Sequence, residues 1–315
     1  MANQSSFSGF LLLEFTEVRE LQILHFLVFL VLYLLTVAGN LLIISAVAFD
    51  HCLHTPMYLF LMNLAFQDLG SVSVIMPKSM ANSLFNTRHI SYLGCVAQVL
   101  FLILFLSSDI YLLTVMAYDR YVAICNPLQY EMIMNKHVCI KMIAGVWTAG
   151  LLQGSLHAAG TFATPFYSNV VNQFFCEIPP VLKISCSDLN LPEIGAIVFV
   201  IVLALGCFVF VIISYVHIFI SVLRIPSVQG KQKAFSTCLP HLIVFSTFIV
   251  TGSFAYLKPI PDTPSNLDLT FTVLYSMVPP MMNPLIYSIR NKDIKMSISK
   301  LLGLKHLPKN ASFGF

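Results

Sequence analysis

Residues 21–49 read LQILHFLVFLVLYLLTVAGNLLIISAVAF, with no charge between Glu20 and Asp50. A helix needs about 20 mostly apolar residues to cross the hydrocarbon core of a bilayer. Comparable charge-free stretches run from Arg88 to Asp109, Lys141 to Glu177, Glu193 to Arg224, Lys233 to Lys258 and Asp268 to Arg290. The stretch 57–80 is similar but contains Asp68 and ends near Lys78. The spacing predicts seven spans, at 22–49, 57–80, 95–122, 139–160, 194–223, 234–257 and 267–289. The runs are continuous and do not alternate, which favours helices over a barrel. The expected fold class is therefore an all-α membrane protein, one seven-helix bundle over 22–289 with an outside tail at 1–21 and a cytoplasmic tail at 290–315.

Composition agrees. Of 315 residues, 57% are hydrophobic and 10% charged, whereas soluble domains carry about 25% charged residues. Lipid is the natural solvent for such a surface. A net charge of +3, with the basic residues dispersed among apolar spans, argues against nucleic acid as a partner. No cleavable signal is visible: Arg19 stands at the wrong end, and the apolar run 10–13 is too short. The first span is expected to serve as the signal anchor.

Lys and Arg set the orientation. With the amino end outside, the inner segments hold Arg120, Lys136, Lys141, Arg224, Lys231, Lys233, Arg290, Lys292, Lys295, Lys300, Lys305 and Lys309, against Arg19, Lys78, Arg88, Lys183 and Lys258 outside. Asn3-Gln4-Ser5 is then an outside glycosylation acceptor at Asn3. Asn310-Ala311-Ser312 matches the same pattern but lies inside.

Ionisable groups within spans are costly and mark function by default. Asp68 lies mid-span, and Asp109 lies at similar depth in the third span. Two carboxylates at one depth fit a shared sodium ion or a shared proton. The alternative is that each is neutral and bonded to neighbours such as Asn40, Asn63, Ser107 or Asn283. Asp119-Arg120-Tyr121 closes the third span inside. Asp109 and Arg120 are about three turns apart on one face, and Asp119 is placed to hold the guanidinium as one half of a bistable element. Pro279, Pro280 and Pro284 beside Asn283 and Tyr287 predict a deformable seventh span.

Of eight cysteines, Cys95, Cys176 and Cys186 face the oxidising side, where a disulfide is permitted. A Cys95–Cys176 bridge would pin the long outer loop, about 161–193, over the bundle mouth. His51, Cys52 and His54 sit in an inner loop too short to wrap a tetrahedral metal site. After Arg290, Ile294, Ile298, Leu301 and Leu302 share one helical face, with Lys292, Lys295 and Lys300 among the polar positions. This predicts a short helix along the inner leaflet.

Several stretches carry a resemblance. Gly39-Asn40, LHTPMYLFLMNLAFQD (53–68), MAYDRYVAIC (116–125), Ser214-Tyr215, KAFSTC (233–238) with His241 after it, and PPMMNPLIYSIRN (279–291) stand in order on successive spans. Together they resemble the rhodopsin-like G-protein-coupled receptors and, within them, the vertebrate olfactory receptors. The resemblance implies a plasma-membrane receptor, not an enzyme, that binds a small molecule outside and activates a stimulatory, olfactory-type G protein to raise cyclic AMP. It implies an activation switch of Asp119, Arg120, Tyr121, Tyr215, His241, Asn283, Pro284 and Tyr287, with Tyr215 joining Arg120 and Tyr287 in the active state. It also implies a sodium pocket of Asp68 and Asp109, the latter replacing the family's usual Glu. The implied ligand-facing set is Leu102, Ile103, Leu106 and Ser107 of the third span, Phe199, Val200 and Leu203 of the fifth, Gly252, Ser253 and Tyr256 of the sixth, and Thr272, Val273 and Ser276 of the seventh.

An apolar cavity with a few hydroxyls suits a small, largely apolar, volatile ligand, oriented by Ser107, Ser253 or Tyr256. The alternative use of those hydroxyls is bonding within their own helices. There are three departures from the family pattern. Tyr167 replaces the cysteine that usually pairs at the position of Cys186. Ile249 replaces a sixth-span Tyr. Pro240 replaces the Ser before His241. The rival reading, a small-molecule transporter, would usually show paired repeats and broken helices, and neither is visible.

Overall fold

The structure is a computed structural model that describes residues 9–14, 16, 18–186, 191–257 and 266–303, with side chains left undescribed at 191–194, 233, 237, 251–252, 254–257, 266–270, 275 and 288–290. The expected sites Asn3 and Asn310 lie outside the described residues, and so do the side chains of Gly252 and Tyr256.

Seven long helices follow one another: Arg19–Phe49, Pro56–Phe85, Tyr92–Cys125, Lys136–Thr161, Leu191–Arg224, Val228–Leu257 and Asn266–Arg290. Among the described residues, six are long and apolar enough to cross a membrane by themselves. The seventh is more polar and proline-rich, and it packs against the sixth, first and second. The helices start one to six residues before their expected spans, and five of the seven also end beyond them; polar caps close two of the starts. Ser91 caps the third by accepting from the Gly94 N–H at 3.1 Å, and Asn135 caps the fourth through the Val138 N–H at 3.0 Å. Pro56 starts the second, where its missing N–H costs nothing. Asn86 ends the second in the left-handed region at φ 51°. The short helix Lys292–Leu301 follows the bundle, with Ile294 buried and Asn291 capping it.

The third span is the central post, packing against the second, fourth, fifth and sixth. Its seam with the fourth is made by glycine. A Cβ at Gly154 would stand 2.5 Å from the Leu100 carbonyl oxygen, and one at Gly150 would stand 2.8 Å from that of Leu104. Small residues thus bring two backbones into contact, which is how helices associate where lipid removes the hydrophobic driving force.

The seventh-span prolines are answered from the first span. Pro284 has no N–H, so the Pro280 carbonyl lacks its usual helical donor. Asn40 supplies one, donating from Nδ2 to the Pro280 oxygen at 3.1 Å. Beside it, Gly39 leaves room for the proline ring, since a Cβ there would sit 3.1 Å from Pro284 Cβ.

Outside, three short segments form a sheet in the order β2-β1-β3, where β1 is Gly9–Leu12, β2 His89–Ser91 and β3 Val170–Val171. β1 runs antiparallel to β2, with Phe10 opposite Ile90, and parallel to β3, with Leu12 opposite Val171. Phe10 is fully buried against Tyr92, Phe162 and Phe166.

Candidate functional site

Four layers of polar and aromatic residues descend through the bundle. The outermost is the sheet, tied down by the Cys95–Cys176 disulfide, whose Cα atoms are 5.4 Å apart. Gln98 of the third span holds the same loop, accepting from the Cys176 N–H at 2.8 Å and donating to the Val74 carbonyl at 2.9 Å. Cys186 is a free, exposed thiol, and Tyr167, at the position of the family's usual cysteine, donates its hydroxyl to the Lys183 carbonyl at 2.8 Å.

Beneath the sheet lies the expected ligand-facing layer. Phe174 and Phe175 drop from the loop into an apolar cluster with Leu102, Leu106, Val273 and Met277. Ile103 and Ser107 are buried close by. Thr272 accepts from Gln173 Nε2 at 3.2 Å, so the loop touches the seventh span directly. Ser276 donates to the Val273 carbonyl of its own helix at 3.2 Å.

Two positions depart from expectation. Phe199 is 54% exposed and Ser253 is also exposed, so both point away from the interior, while Val200 and Leu203 are half-buried. The reason is phase. The fifth span is apolar almost all round, and its sequence carries little signal for which stripe faces inward. Gln98, Gln173 and the Phe174–Phe175 pair were not foreseen, although a lone Gln in an apolar span is the kind of residue that needs a buried partner.

The middle layer joins Asp68 to Asn283, whose Nδ2 donates to both carboxylate oxygens at 3.1 and 2.9 Å. Asp109 is buried as well. Its Oδ1 has no hydrogen-bond partner among the described residues. Of the suggested neutral partners, Asn283 is engaged on Asp68, while Asn63 accepts from Trp147 Nε1 at 3.2 Å instead.

The innermost layer carries the switch residues. Arg120 Nε donates to Asp119 Oδ2 at 2.9 Å, and Nη2 contacts the same oxygen. Asp119 Oδ1 accepts from the Tyr130 hydroxyl at 2.7 Å. Tyr130 sits in the short helix Tyr130–Ile133 of the inner loop. Burial, and then the Asp119 carboxylate beside it, push its phenol above the ordinary value of 10.0.

Across the bundle, Tyr215 Oη lies 2.8 Å from His241 Nδ1, and His241 Nε2 lies 2.8 Å from the Leu113 carbonyl. A carbonyl only accepts, so Nε2 bears the proton, and Nδ1 of the neutral ring accepts a hydrogen bond from the Tyr215 hydroxyl. Tyr215 is therefore held by His241 here rather than by Arg120. The Tyr287 hydroxyl is buried without a hydrogen-bond partner among the described residues. Tyr121 is half-buried, its ring 6.0 Å from His217.

At the inner ends, Tyr58 donates toward Asn291 Oδ1 at 3.2 Å and Asp293 Oδ2 at 3.0 Å, docking the last helix. The Cys52 N–H holds the Asp50 carboxyl below its usual range.

This arrangement can be set beside known proteins. A family model described as "Olfactory receptor" matches residues 29–305. The human protein Olfactory receptor 14J1 is 47% identical over 310 residues, covering 98% of this chain and 97% of that protein. Human Olfactory receptor 14A16 is 48% identical over 303 residues, covering 96% and 98%. Among solved structures, squid rhodopsin superposes with a TM-score of 0.75 at 17% identity, covering 91% of this chain and 86% of that one, a likeness of fold.

Proposed function

The chain belongs to the olfactory receptor family, and from that premise we propose that a small, largely apolar, volatile ligand binds under the outer sheet and frees Arg120 for a stimulatory, olfactory-type G protein that raises cyclic AMP. The protein is an odorant receptor of the rhodopsin-like class, a multi-pass protein of the plasma membrane and not an enzyme. A small-molecule ligand and coupling to a G protein come with that membership. Nothing in the family or the fold speaks for a transporter.

The observation that supports this mechanism best is the pair of closed contacts at the cytoplasmic end. Arg120 is neutralised by Asp119, which Tyr130 also grips, and Tyr215 is occupied by His241. Both contacts must open for Arg120 and Tyr215 to meet. Each is a hydrogen bond of modest net strength, about 0.5–1.5 kcal/mol when neutral and about twice that when charged. Ligand binding can supply that difference if it favours the open arrangement.

For the ligand, the supporting observation is the apolar layer of Leu102, Leu106 and Val273 under Phe174 and Phe175. Ser107 is the hydroxyl best placed to orient a ligand, since Ser276 is spent on its own helix and Ser253 faces outward. For the middle layer, two buried acids, one of them with an unpartnered Oδ1 on Asp109, suit a monovalent cation such as sodium, which Asp68 and Asp109 would hold.

The test is a cyclic AMP assay in cells carrying the receptor and its G protein, screened with a panel of small apolar odorants. Ser107→Ala should shift the potency of an active compound about tenfold or less. An unchanged dose-response curve would remove Ser107 from the site. Replacing external sodium with a bulky organic cation should change agonist potency in the wild type but not in Asp109→Asn, and equal effects in both would reject the cation site.

A further inference from the structure

Of the three strands in the outer sheet, β1 is the one that, among the described residues, is neither held between two membrane helices nor tied by a covalent bridge. β2 is tethered on both sides, to the second and third spans. β3 lies in the loop anchored by the Cys95–Cys176 disulfide. β1 leads on through Leu13 and Glu14 toward the first span. Yet it is the central strand, and both seams of the sheet depend on it. Backbone bonds from the Leu11 N–H to the Asn169 carbonyl (2.7 Å), from Leu12 to Arg88 (2.8 Å) and from Leu13 to Gln173 (2.9 Å) close those seams. The last is notable because Gln173 also bonds Thr272, so the strand is two hydrogen bonds away from the ligand-facing wall.

Just after β1, Glu14 is fastened by charge. Glu14, whose side chain is only 17% exposed, pairs with Arg88 just before β2. Gln22, 5% exposed, shares its two Nε2 hydrogens among Glu14 at 3.2 Å, the Thr16 carbonyl at 3.0 Å and Asn86 Oδ1 at 3.0 Å. A small polar cavity of about 20 Å³ lies at this point, lined by Glu14, Gln22, His25, Asn82, Thr87 and Phe174 among others. It has room for a water molecule. Such a fastening next to water can be exchanged for hydration, whereas the apolar pegs Phe10 and Leu12 hold the strand in register.

We propose that β1 is a removable roof strand, latched by Glu14 and Arg88, whose release opens the ligand-facing layer to the outside. Its biological use rests on the odorant-receptor reading, but its opening does not, so the test needs no ligand. Ser276→Cys, one helical turn below Thr272, is introduced with Cys186→Ser to remove the exposed outer thiol. The chain with Cys186→Ser alone serves as the blank. Intact cells are treated with a neutral, membrane-impermeant sugar methanethiosulfonate, so that changes in local charge do not bias the reagent, and the modification rate is read per receptor at the surface.

The expected result is slow labelling with the latch intact. Labelling should be about fivefold faster in Glu14→Gln and in Arg88→Glu, the scale of one partly exposed ion pair. The rate should return toward the intact value in the exchanged pair Glu14→Arg with Arg88→Glu. Equal rates in all chains, or rapid labelling with the latch intact, would overturn the proposal. If Arg88→Glu fails to reach the surface, Glu14→Gln decides alone. Loss of odorant response with this pattern preserved would count against the ligand reading and leave the latch standing.

Discussion

Tyr130 and Arg120 share one carboxylate. Tyr130 donates to Oδ1 of Asp119 at 2.7 Å while Arg120 Nε holds Oδ2 at 2.9 Å. The inner loop is thereby wired to the last turn of the third span, and any movement of Arg120 is felt by Tyr130 through the same acid.

Tyr130→Phe deletes one of the two grips and keeps the ring. Losing a hydrogen bond to a charged acceptor, worth about 1.5–3 kcal/mol, should raise ligand-independent cyclic AMP several-fold at equal surface expression. Because burial and the neighbouring carboxylate raise the Tyr130 phenol above 10.0, its proton stays on at any cytosolic pH. The wild-type basal signal should therefore not rise as the cytosol is made mildly alkaline. A basal signal unchanged by Tyr130→Phe would show that the contact does not restrain Arg120.

Tyr215→Phe leaves His241 Nδ1 buried without its donor. The variant also lacks the hydroxyl that the active arrangement needs for Arg120. The maximal agonist response should fall about twofold or more with ligand potency little changed, because the change lies far from the ligand layer. A shift in potency alone would place Tyr215 outside the switch.

Asn40→Ala strands the Pro280 carbonyl in the core, since Pro284 cannot supply an N–H. An unsatisfied buried acceptor costs about 1–3 kcal/mol. The purified receptor in detergent should unfold at a lower temperature by several degrees, read by thiol-reactive dye fluorescence. Asn40→Leu should not rescue it, because an aliphatic side chain has no donor to offer.

Gly154→Val sets side-chain atoms against the Leu100 carbonyl, which even a Cβ would approach to 2.5 Å. The third and fourth spans must separate, at about 1–3 kcal/mol, and the melting temperature should drop. Gly145→Val, with nothing within 4 Å of its Cβ position, is the matched control and should be near neutral.

The seven spans were legible because charges interrupt the apolar runs at both faces of the membrane, and a helix has no other way to cross. Their ends were not, since Ser91 and Asn135 continue each helix into water by capping it. Asp68, Asp109 and Asp119 declared themselves as acids in apolar surroundings, but their partners did not. Tyr130 reaches Asp119 only after the chain turns back through Asn126 and Pro127. Phe199 went astray because a helix greasy on every side has no inward stripe to read. The sheet was missed altogether. GFLL at 9–12 is too short to announce a strand, and its partners lie about 80 and 160 residues downstream, beyond any local pattern.

That last separation bears on how the receptor is made. β1 is made before either of its partners and finds its full seat only after Val170–Val171 has crossed the membrane behind it, so Phe10 and Leu12 stay uncovered while four helices are threaded. Closure of this four-residue strand therefore comes late in assembly, after the segments on both of its sides are in place.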